Sequence, residues 1–399
     1  VTDTVDCPKG YRYAGVVSGL RSEPNRRDIA LVVSDRPASV AGVFTQNRVC
    51  AAPVQVCRAR VPGAHARGVV ICSGNANACT GEQGLRDARA MTQTVATVLG
   101  VVPEAILVAS TGIIGRPLPM PVVIPGIHQA LSALTPESKG LDDAAAAILT
   151  TDTCTKLAST RFSWDGVDYT VTGFAKGAAM IGPNMATMLA FVLTDAPVAP
   201  TEWQEMLAQA VDASFNCISV EGHMSTNDTV LAFANGAAGG RELQGAGLDL
   251  LAHALDEICT RLARKIIQDA EGATHILTLH VEGLRTVADA RKIAKTVAES
   301  ALVKTALFGA DPNWGRIVSA AGYAGVDFAE RDVSLWLAGT LLYDRGVPVP
   351  FDAAAVSNHI KSHREIDARL VFTLGTARTT FWTSDLTYDY VRLNADYTT

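Results

Sequence analysis

The stretch Gly173-Phe-Ala-Lys-Gly-Ala-Ala-Met-Ile-Gly-Pro-Asn-Met-Ala-Thr187-Met-Leu-Ala-Phe-Val-Leu-Thr-Asp195 holds the most informative chemistry of the chain. Glycines 173, 177 and 182 with Pro183 make an irregular approach, and an apolar run then begins at Met185 with Thr187 near its start. By composition this is a loop entering a buried strand, in which Thr187 is a β-branched strand former and Lys176 a surface charge. A second reading takes the loop as a place where the backbone is held under strain. A constrained peptide before a threonine is open to attack by that residue's own hydroxyl on the preceding carbonyl, and Ala186 offers little obstruction. Hydrolysis of the resulting ester frees the α-amino group of Thr187 beside the hydroxyl it must deprotonate. Such an amine has a reference pKa of about 7.7–8.0, far nearer neutrality than a lysine. One residue then supplies both nucleophile and base.

Outward from this segment the two halves differ. Upstream, short apolar runs broken by Gly, Asn and Pro predict strands at Ile29–Val33, Val40–Phe44, Val54–Cys57, Val69–Cys72 and Ile106–Val108. One long helix is expected near Leu85–Leu99, a second through Asp142–Leu149, and a hairpin around Trp164-Asp165-Gly166. Downstream the helices lengthen. Leu251, Leu255, Ile258, Leu262 and Ile266 fall on one face of a helix over Leu248–Ile267, with Gly272 as its stop and Glu271 at or just beyond its end. A further helix is expected at Val287–Val297, and strands at Val333–Leu337 and Ile366–Phe372. Strand and helix do not alternate regularly, which favours an α+β layered fold over a doubly wound sheet or barrel.

A chain of 399 residues exceeds what one core usually serves, so two domains, or a layered body with an appendage, are expected. Its 48% hydrophobic and 19% charged residues are those of a globular enzyme. A net charge of −6 with no basic block excludes long-range attraction to nucleic acid or an anionic membrane surface and fits a small substrate. The eight cysteines stand singly with no Cys-x-x-Cys pair, and are expected to be reduced core thiols. Val1 to Gly10 has no apolar signal-like core, and no run nears the roughly 20 apolar residues of a membrane span; the expected location is the cytoplasm.

Several large enzyme classes lack their signatures here: there is no Gly-x-x-x-x-Gly-Lys phosphate loop, Gly-x-Gly-x-x-Gly turn, Gly-x-Ser-x-Gly elbow or His-Glu-x-x-His helix. His359 and His363 have the spacing of a metal pair but no third ligand, so no metal is expected. Asn227-Asp-Thr229 matches a glycosylation sequon by chance.

The processing segment resembles the ornithine acetyltransferase (ArgJ, glutamate N-acetyltransferase) family, whose cleavage motif reads Ala-Thr-Met-Leu. The resemblance extends to Ala109-Ser-Thr-Gly-Ile-Ile-Gly-Arg-Pro-Leu-Pro119, Thr150-Thr-Asp-Thr153, Ser214-Phe-Asn, Ser225-Thr-Asn-Asp-Thr229, Gly309-Ala-Asp-Pro-Asn-Trp-Gly-Arg316 and Asp385 to Thr399, in order and nearly end to end. It implies an αββα-type layered sandwich of the ArgJ/DmpA kind with a second, smaller α/β domain. It also implies self-cleavage between Ala186 and Thr187 into fragments 1–186 and 187–399, two copies of each forming a heterotetramer. The implied activity is acetyl transfer from N-acetylornithine to glutamate without a cofactor, acetyl-CoA being an additional donor left open.

Residue by residue, the resemblance makes Thr187 the nucleophile and Thr111 and Gly112 the donors to the oxyanion. A Gly-containing turn after an apolar strand suits that role. It assigns Thr153, Lys176, Thr187, Glu271, Asn394 and Thr399 to substrate binding, with Lys176 and Glu271 as the charged contacts. Asp311-Pro-Asn-Trp-Gly-Arg316 reads as a rigid turn near the site. Gly182 departs from a side-chain-bearing residue before Pro183, and Glu221-Gly-His-Met from a more acidic stretch. A self-processing amidase or aminopeptidase, with water as acceptor, and a non-catalytic amino-acid binder are the competing readings.

Overall fold

Apolar strand residues between Tyr11 and Ala234 build the larger of two mixed sheets in this computed structural model, which describes residues 5–179, 182 and 188–396. Its strands are β1 (Tyr11–Val16), β2 (Ile29–Phe44), β3 (Gly63–Asn75), β4 (Ile106–Ile113), β5 (Lys156–Trp164), β6 (Val167–Lys176), β7 (Leu189–Thr194) and, further on, β9 (Thr229–Ala234). They lie in the order β4-β3-β2-β9-β7-β6-β5, with β1 also paired to β2. Four helices, α1 (Ala52–Arg58), α2 (Gly81–Leu99), α3 (Met120–Ser132) and α4 (Ser138–Ala147), pack on one face. On the other lie α5 (Pro200–Ala213) and α6 (Ala246–Gln268).

Two covered faces explain why β7 and β9 read as unbroken apolar runs. In β7, Leu189, Phe191 and Leu193 enter the core under α2–α4, while Ala190 and Val192 enter the core under α5 and α6. Leu231 and Phe233 of β9 divide from Val230 and Ala232 in the same way. A strand buried on both sides has no polar face to show.

The second sheet contains β8 (Ile218–Ser219), β10 (Ile276–Leu284), β11 (Val333–Leu337), β12 (Thr340–Asp344), β13 (Val347–Pro348), β14 (Glu365–Phe372) and β15 (Ala377–Ser384), in the order β13-β12-β11-β14-β10-β15-β8. Strand β14 alternates cleanly: Ile366, Ala368, Leu370 and Phe372 are buried, whereas Glu365, Asp367 and Arg369 face solvent. The buried side joins the core formed with α7 (Val287–Glu299), α8 (Ala301–Phe308) and α9 (Trp314–Gly322). Helices α10 (Ala353–Ser362) and α11 (Tyr388–Asp396) complete the described chain. Helix α6 links the two bodies by packing on β5 and β6 of one sheet and β15 of the other. The α+β layered class with a smaller α/β unit is therefore the observed one.

Several local expectations hold and several need correction. Asp165 and Gly166 both take positive φ, 52° and 77°, the type I′ combination that closes the β5–β6 hairpin. Leu251, Leu255, Ile258, Leu262 and Ile266 line the buried face of α6. The helix ends at Gln268, so Gly272 stands beyond the stop and Glu271 in the loop that follows. Ile29–Val33 and Val40–Phe44 are two ends of the single strand β2. Val54–Cys57, expected as a strand, is part of helix α1: Pro53 stands in its first turn, and Val54, Val56 and Cys57 are buried while Gln55 is exposed. Over four residues that alternation cannot be told from a strand's. The eight cysteines are free, but only Cys57, Cys72, Cys217 and Cys259 are buried, and Cys79 and Cys154 are exposed.

Candidate active site

The sequence-expected nucleophile Thr187, its neighbour Ala186 and the terminal Thr399 lie outside the described residues. What the structure does place is the chain on both sides of the expected cut. Upstream, β6 delivers Lys176, whose buried Nζ donates to Thr111 Oγ1 at 3.2 Å. Gly177 N donates to Asp152 Oδ1 at 2.6 Å, and Ala178 O accepts from Glu271 N at 2.9 Å. Downstream, Met188 N donates to Asp228 Oδ1 at 3.2 Å, and Met188 O accepts from Thr229 N at 3.2 Å. Three residues entering the segment and the first described residue leaving it are thus tied to different elements.

Thr111 and Gly112 sit later in a strand than expected. Strand β4 runs on to Ile113 because β3 continues beside it in parallel, with a bulge at Gly74 and Asn75. Gly112 has φ +131°, and a Cβ there would lie 2.3 Å from the Gly74 carbonyl carbon, so only glycine fits. Asn227 fixes this edge: its side-chain amide donates to Ala76 O at 2.6 Å and Ser110 O at 2.8 Å. A 5% exposed side chain so engaged is unavailable to a glycosylation enzyme.

Behind the segment lies a buried charge network that sequence reasoning did not assign. Asp152 Oδ1 accepts from Lys156 Nζ at 2.7 Å as well as from Gly177 N. Lys156 Nζ also reaches Asp269 Oδ2 at 2.6 Å, and Asp269 takes both the backbone N–H (3.0 Å) and the hydroxyl of Thr153. Burial alone would raise the Asp152 pKa, but the Lys176 and Lys156 ammoniums overcome it and hold the carboxyl at about 2. Burial pushes Lys176 below the usual lysine range, against the pull of Asp152. Lys176 is therefore a buried internal amine and not a solvated surface charge.

Glu271 and Asn394 meet as well. Asn394 Nδ2, on α11, donates to Glu271 Oε2 at 3.3 Å, whereas Glu271 Oε1 is buried with no partner among the described residues. Gly272 permits this approach, because a Cβ on it would come within 2.6 Å of Tyr390 N. A cavity of ≈ 540 Å³ lined by Thr153, Asp269, Glu271 and Arg21 adjoins one of ≈ 470 Å³ lined by Gly112, Arg116, Asn75 and the same Arg21. The two cavities carry the Arg21 and Arg116 side chains and the under-satisfied Glu271 carboxylate, charges of both signs that fit a zwitterionic acyl-amino substrate.

Other expectations fall outside this cluster. Asp311–Arg316 is a capping turn in which Asn313 accepts from Arg316 N and Trp314 stacks on Tyr343 at 5.3 Å; none of it lines either cavity. His363 stacks on His359 at 4.1 Å, and its Nδ1 faces the His359 carbonyl. Among the described residues no group of three or more metal-ligating side chains stands together, and no helix is long and apolar enough to cross a membrane. Asp152, Lys156, Asp228 and Asp269 carried no individual signal. Asp152 and Asp228 lie inside quoted motifs, while Lys156 and Asp269 become visible only once the fold brings them together.

The ArgJ family's sequence profile matches residues 12–399 of this chain. An "Arginine biosynthesis bifunctional protein ArgJ" of Thermosynechococcus vestitus is 44% identical over 418 residues, covering 100% of this chain and 99% of that protein. Its namesake from Geobacter sulfurreducens is 46% identical over 393 residues, covering 98% and 99%. A solved chain of the Bacillus halodurans arginine biosynthesis bifunctional protein argJ superposes with a TM-score of 0.51 at 34% identity, covering 52% of this chain and 98% of its own. With matches of this extent at both levels, the chain belongs to the ArgJ family.

Proposed function

We propose that this chain is an N-terminal-nucleophile acyltransferase that cuts itself between Ala186 and Thr187 and then carries acetyl from N-acetylornithine to glutamate. The observation that carries the reading is the two-sided anchoring of the segment. Lys176, Gly177 and Ala178 are tied to Thr111, Asp152 and Glu271, and Met188 is tied to Asp228 and Thr229. Anchors on both sides of the segment, beside a glycine-bearing strand edge, support a peptide constrained enough for attack by its own side chain.

In the transfer, Thr187 Oγ attacks the acetyl carbonyl and the freed α-amine takes its proton. Thr111 and Gly112 face the oxyanion, where each donor contributes about 2.7–4 kcal/mol. Ornithine leaves with that proton, and the glutamate amine attacks the acetyl ester to complete a ping-pong cycle. Lys176, Glu271, Thr153, Asn394 and Thr399 hold the amino-acid ends, the open Oε1 of Glu271 receiving an ammonium. No metal or prosthetic group enters the cycle, and acetyl-CoA is an additional donor to Thr187. The cut yields fragments 1–186 and 187–399, assembled as two copies of each in the cytoplasm. A half-length solved relative matched over 98% of itself agrees with a two-piece mature protein.

Intact-mass analysis of purified protein should show two pieces meeting at 186/187, and incubation with N-acetylornithine should add one acetyl group to the second. Thr187→Ala should give one uncut, inactive chain. Normal turnover by that variant would falsify the reading. Release of ornithine and acetate at equal rates with and without glutamate would instead mark a hydrolase.

A further inference from the structure

Arg21 lines both cavities of the site, the one that carries Glu271 and the one that carries Gly112. Its backbone is pinned from behind: the buried Asp28 carboxylate accepts from Ser18 N at 2.7 Å, Gly19 N at 3.1 Å, Leu20 N at 2.8 Å and Arg21 N at 3.3 Å. Its stem lies on Gly74, where a Cβ would come within 2.9 Å of Arg21 Cγ, and Gly74 pairs in register with Gly112. The side chain is only 8% exposed. Nη1 donates to Leu149 O at 2.6 Å, while Nε and Nη2 meet the Glu23 carboxylate at 3.4 and 3.3 Å. Charge-assisted bonds of this kind usually close to about 2.7–2.9 Å, so Glu23, with its side chain 51% exposed, holds the cation loosely. A guanidinium has five N–H donors, and one on each terminal nitrogen of Arg21 is without a partner among the described residues. A fixed, buried cation with donors to spare beside open cavity volume is suited to a carboxylate.

The two substrates of the transfer differ in the charge they bring. N-acetylornithine carries one carboxylate and one ammonium, whereas glutamate carries two carboxylates, and a ping-pong cycle passes both through the same place. Glu271 suits the ammonium and would repel a second carboxylate. Lys176 is a single cation and answers the α-carboxylate that both molecules share. Burial is the main cause that lowers the Lys176 pKa, and the charges of Lys156 and then Arg21 add to it, so Arg21 stands within the field of the same site. We propose that Arg21 binds the γ-carboxylate of glutamate and thereby selects it as the acetyl acceptor. The inference rests on the acetyltransferase reading given above and deepens it by assigning the acceptor's second charge. Glu23 balances the guanidinium while the cationic end of ornithine is in the site, and the spare N–H groups take the carboxylate when glutamate follows.

Transfer from N-acetylornithine is measured against glutamate and against glutamine, its neutral isostere. The ratio of the two kcat/KM values cancels the amount of folded enzyme and the first half-reaction, so a merely structural role for Arg21 leaves it unmoved. Arg21→Met should lower the ratio at least about tenfold, chiefly through KM for glutamate, and Arg21→Lys, which keeps the charge, should lower it less. Should Arg21→Met not accumulate as folded protein, Arg21→Gln, which keeps a donor for the Leu149 carbonyl, carries the same expectation. An unchanged ratio in the neutral variant overturns the role of Arg21 and leaves the acetyltransferase reading standing. Equal falls in the lysine and neutral variants also overturn it, since charge would then not matter. A wild-type protein that moves no acetyl from N-acetylornithine to glutamate sinks both.

Discussion

Asp152 shows how a single side chain can hold a site that it does not enter. One of its oxygens accepts from Lys156 Nζ and Gly177 N, and its charge offsets two buried lysines. Removing it takes one carboxylate from each of two buried lysines and leaves Lys156 to Asp269 alone; breaking a buried pair typically costs about 3–5 kcal/mol. Asp152→Asn should therefore lower the unfolding free energy at pH 7 by that order. Because the folded carboxyl titrates near 2, below its unfolded value of about 3.9, its contribution is full above pH 4 and lost as pH falls through 2. Urea titrations should show the gap between wild type and variant narrowing over that window; a constant gap would refute the charge argument. Gly112→Ala is a second residue-scale prediction. Positive φ and the 2.3 Å approach of Gly74 make any side chain displace the strand edge proposed to face the oxyanion, so kcat should drop at least a hundredfold. The need for glycine at 112 was legible in the motif. The burial of Lys176 was not, since a lysine beside glycines carries no mark of the carboxylates that will surround it.

Elements were readable where their burial pattern is long and one-sided. Helix α6 repeats its apolar face over 23 residues and β14 alternates over eight, so each can be named from period alone. Helix α1 has seven residues, too few to separate two periods, and was misread. Gly182, which seemed a departure, has an element-level cause: a Cβ there would lie 2.5 Å from the Gly222 carbonyl carbon, and Gly222 itself packs on Glu299. The segment and the loop before β9 are matched by two glycines at one contact. Gly182→Ala should accordingly slow cutting severalfold without unfolding the chain, as read by intact mass and a thermal melt. Helix α8 is tied to β15 by Lys304, which donates to Thr383 Oγ1 at 3.0 Å and to the Ser384 carbonyl. Burial lowers its pKa to about 7 against the pull of Asp385, Glu221 and Glu299. The unfolded lysine keeps its proton to about 10.4. Unfolding therefore takes up a proton between these values, and raising the pH favours the fold. The melting temperature of wild type minus that of Lys304→Met should rise from pH 6 to pH 9; a falling difference would place the amine's folded pKa above its unfolded one.

At the scale of the whole molecule the chain order and the sheet order conflict, and that conflict governs what a cut can do. Strands β1–β6 precede position 187 and β7–β15 follow it, yet in the first sheet β9 and β7 lie side by side between β2 and β6. Six residue pairs join β2 to β9, from Ser39–Ala234 to Phe44–Thr229, and six join β6 to β7, from Val171–Thr194 to Lys176–Leu189. The second piece is thus inserted as a pair of central strands into a sheet whose flanks belong to the first. No reading of local periods could have revealed this, because strand order is set by contacts among residues far apart in the chain. The α+β class was legible from composition and element lengths, whereas the interleaving needed the fold. Separating the halves would expose the face of β7 and β9 that packs under the first piece's helices and open two backbone ladders at once, so the cut protein should unfold as one unit. Material shown by a denaturing gel to be fully cut should elute as a single native species containing both pieces. It should melt in one transition coincident by circular dichroism and fluorescence, and release its pieces only at denaturant concentrations that also abolish the far-UV signal. Native elution of the two pieces in separate peaks would contradict the interleaved sheet.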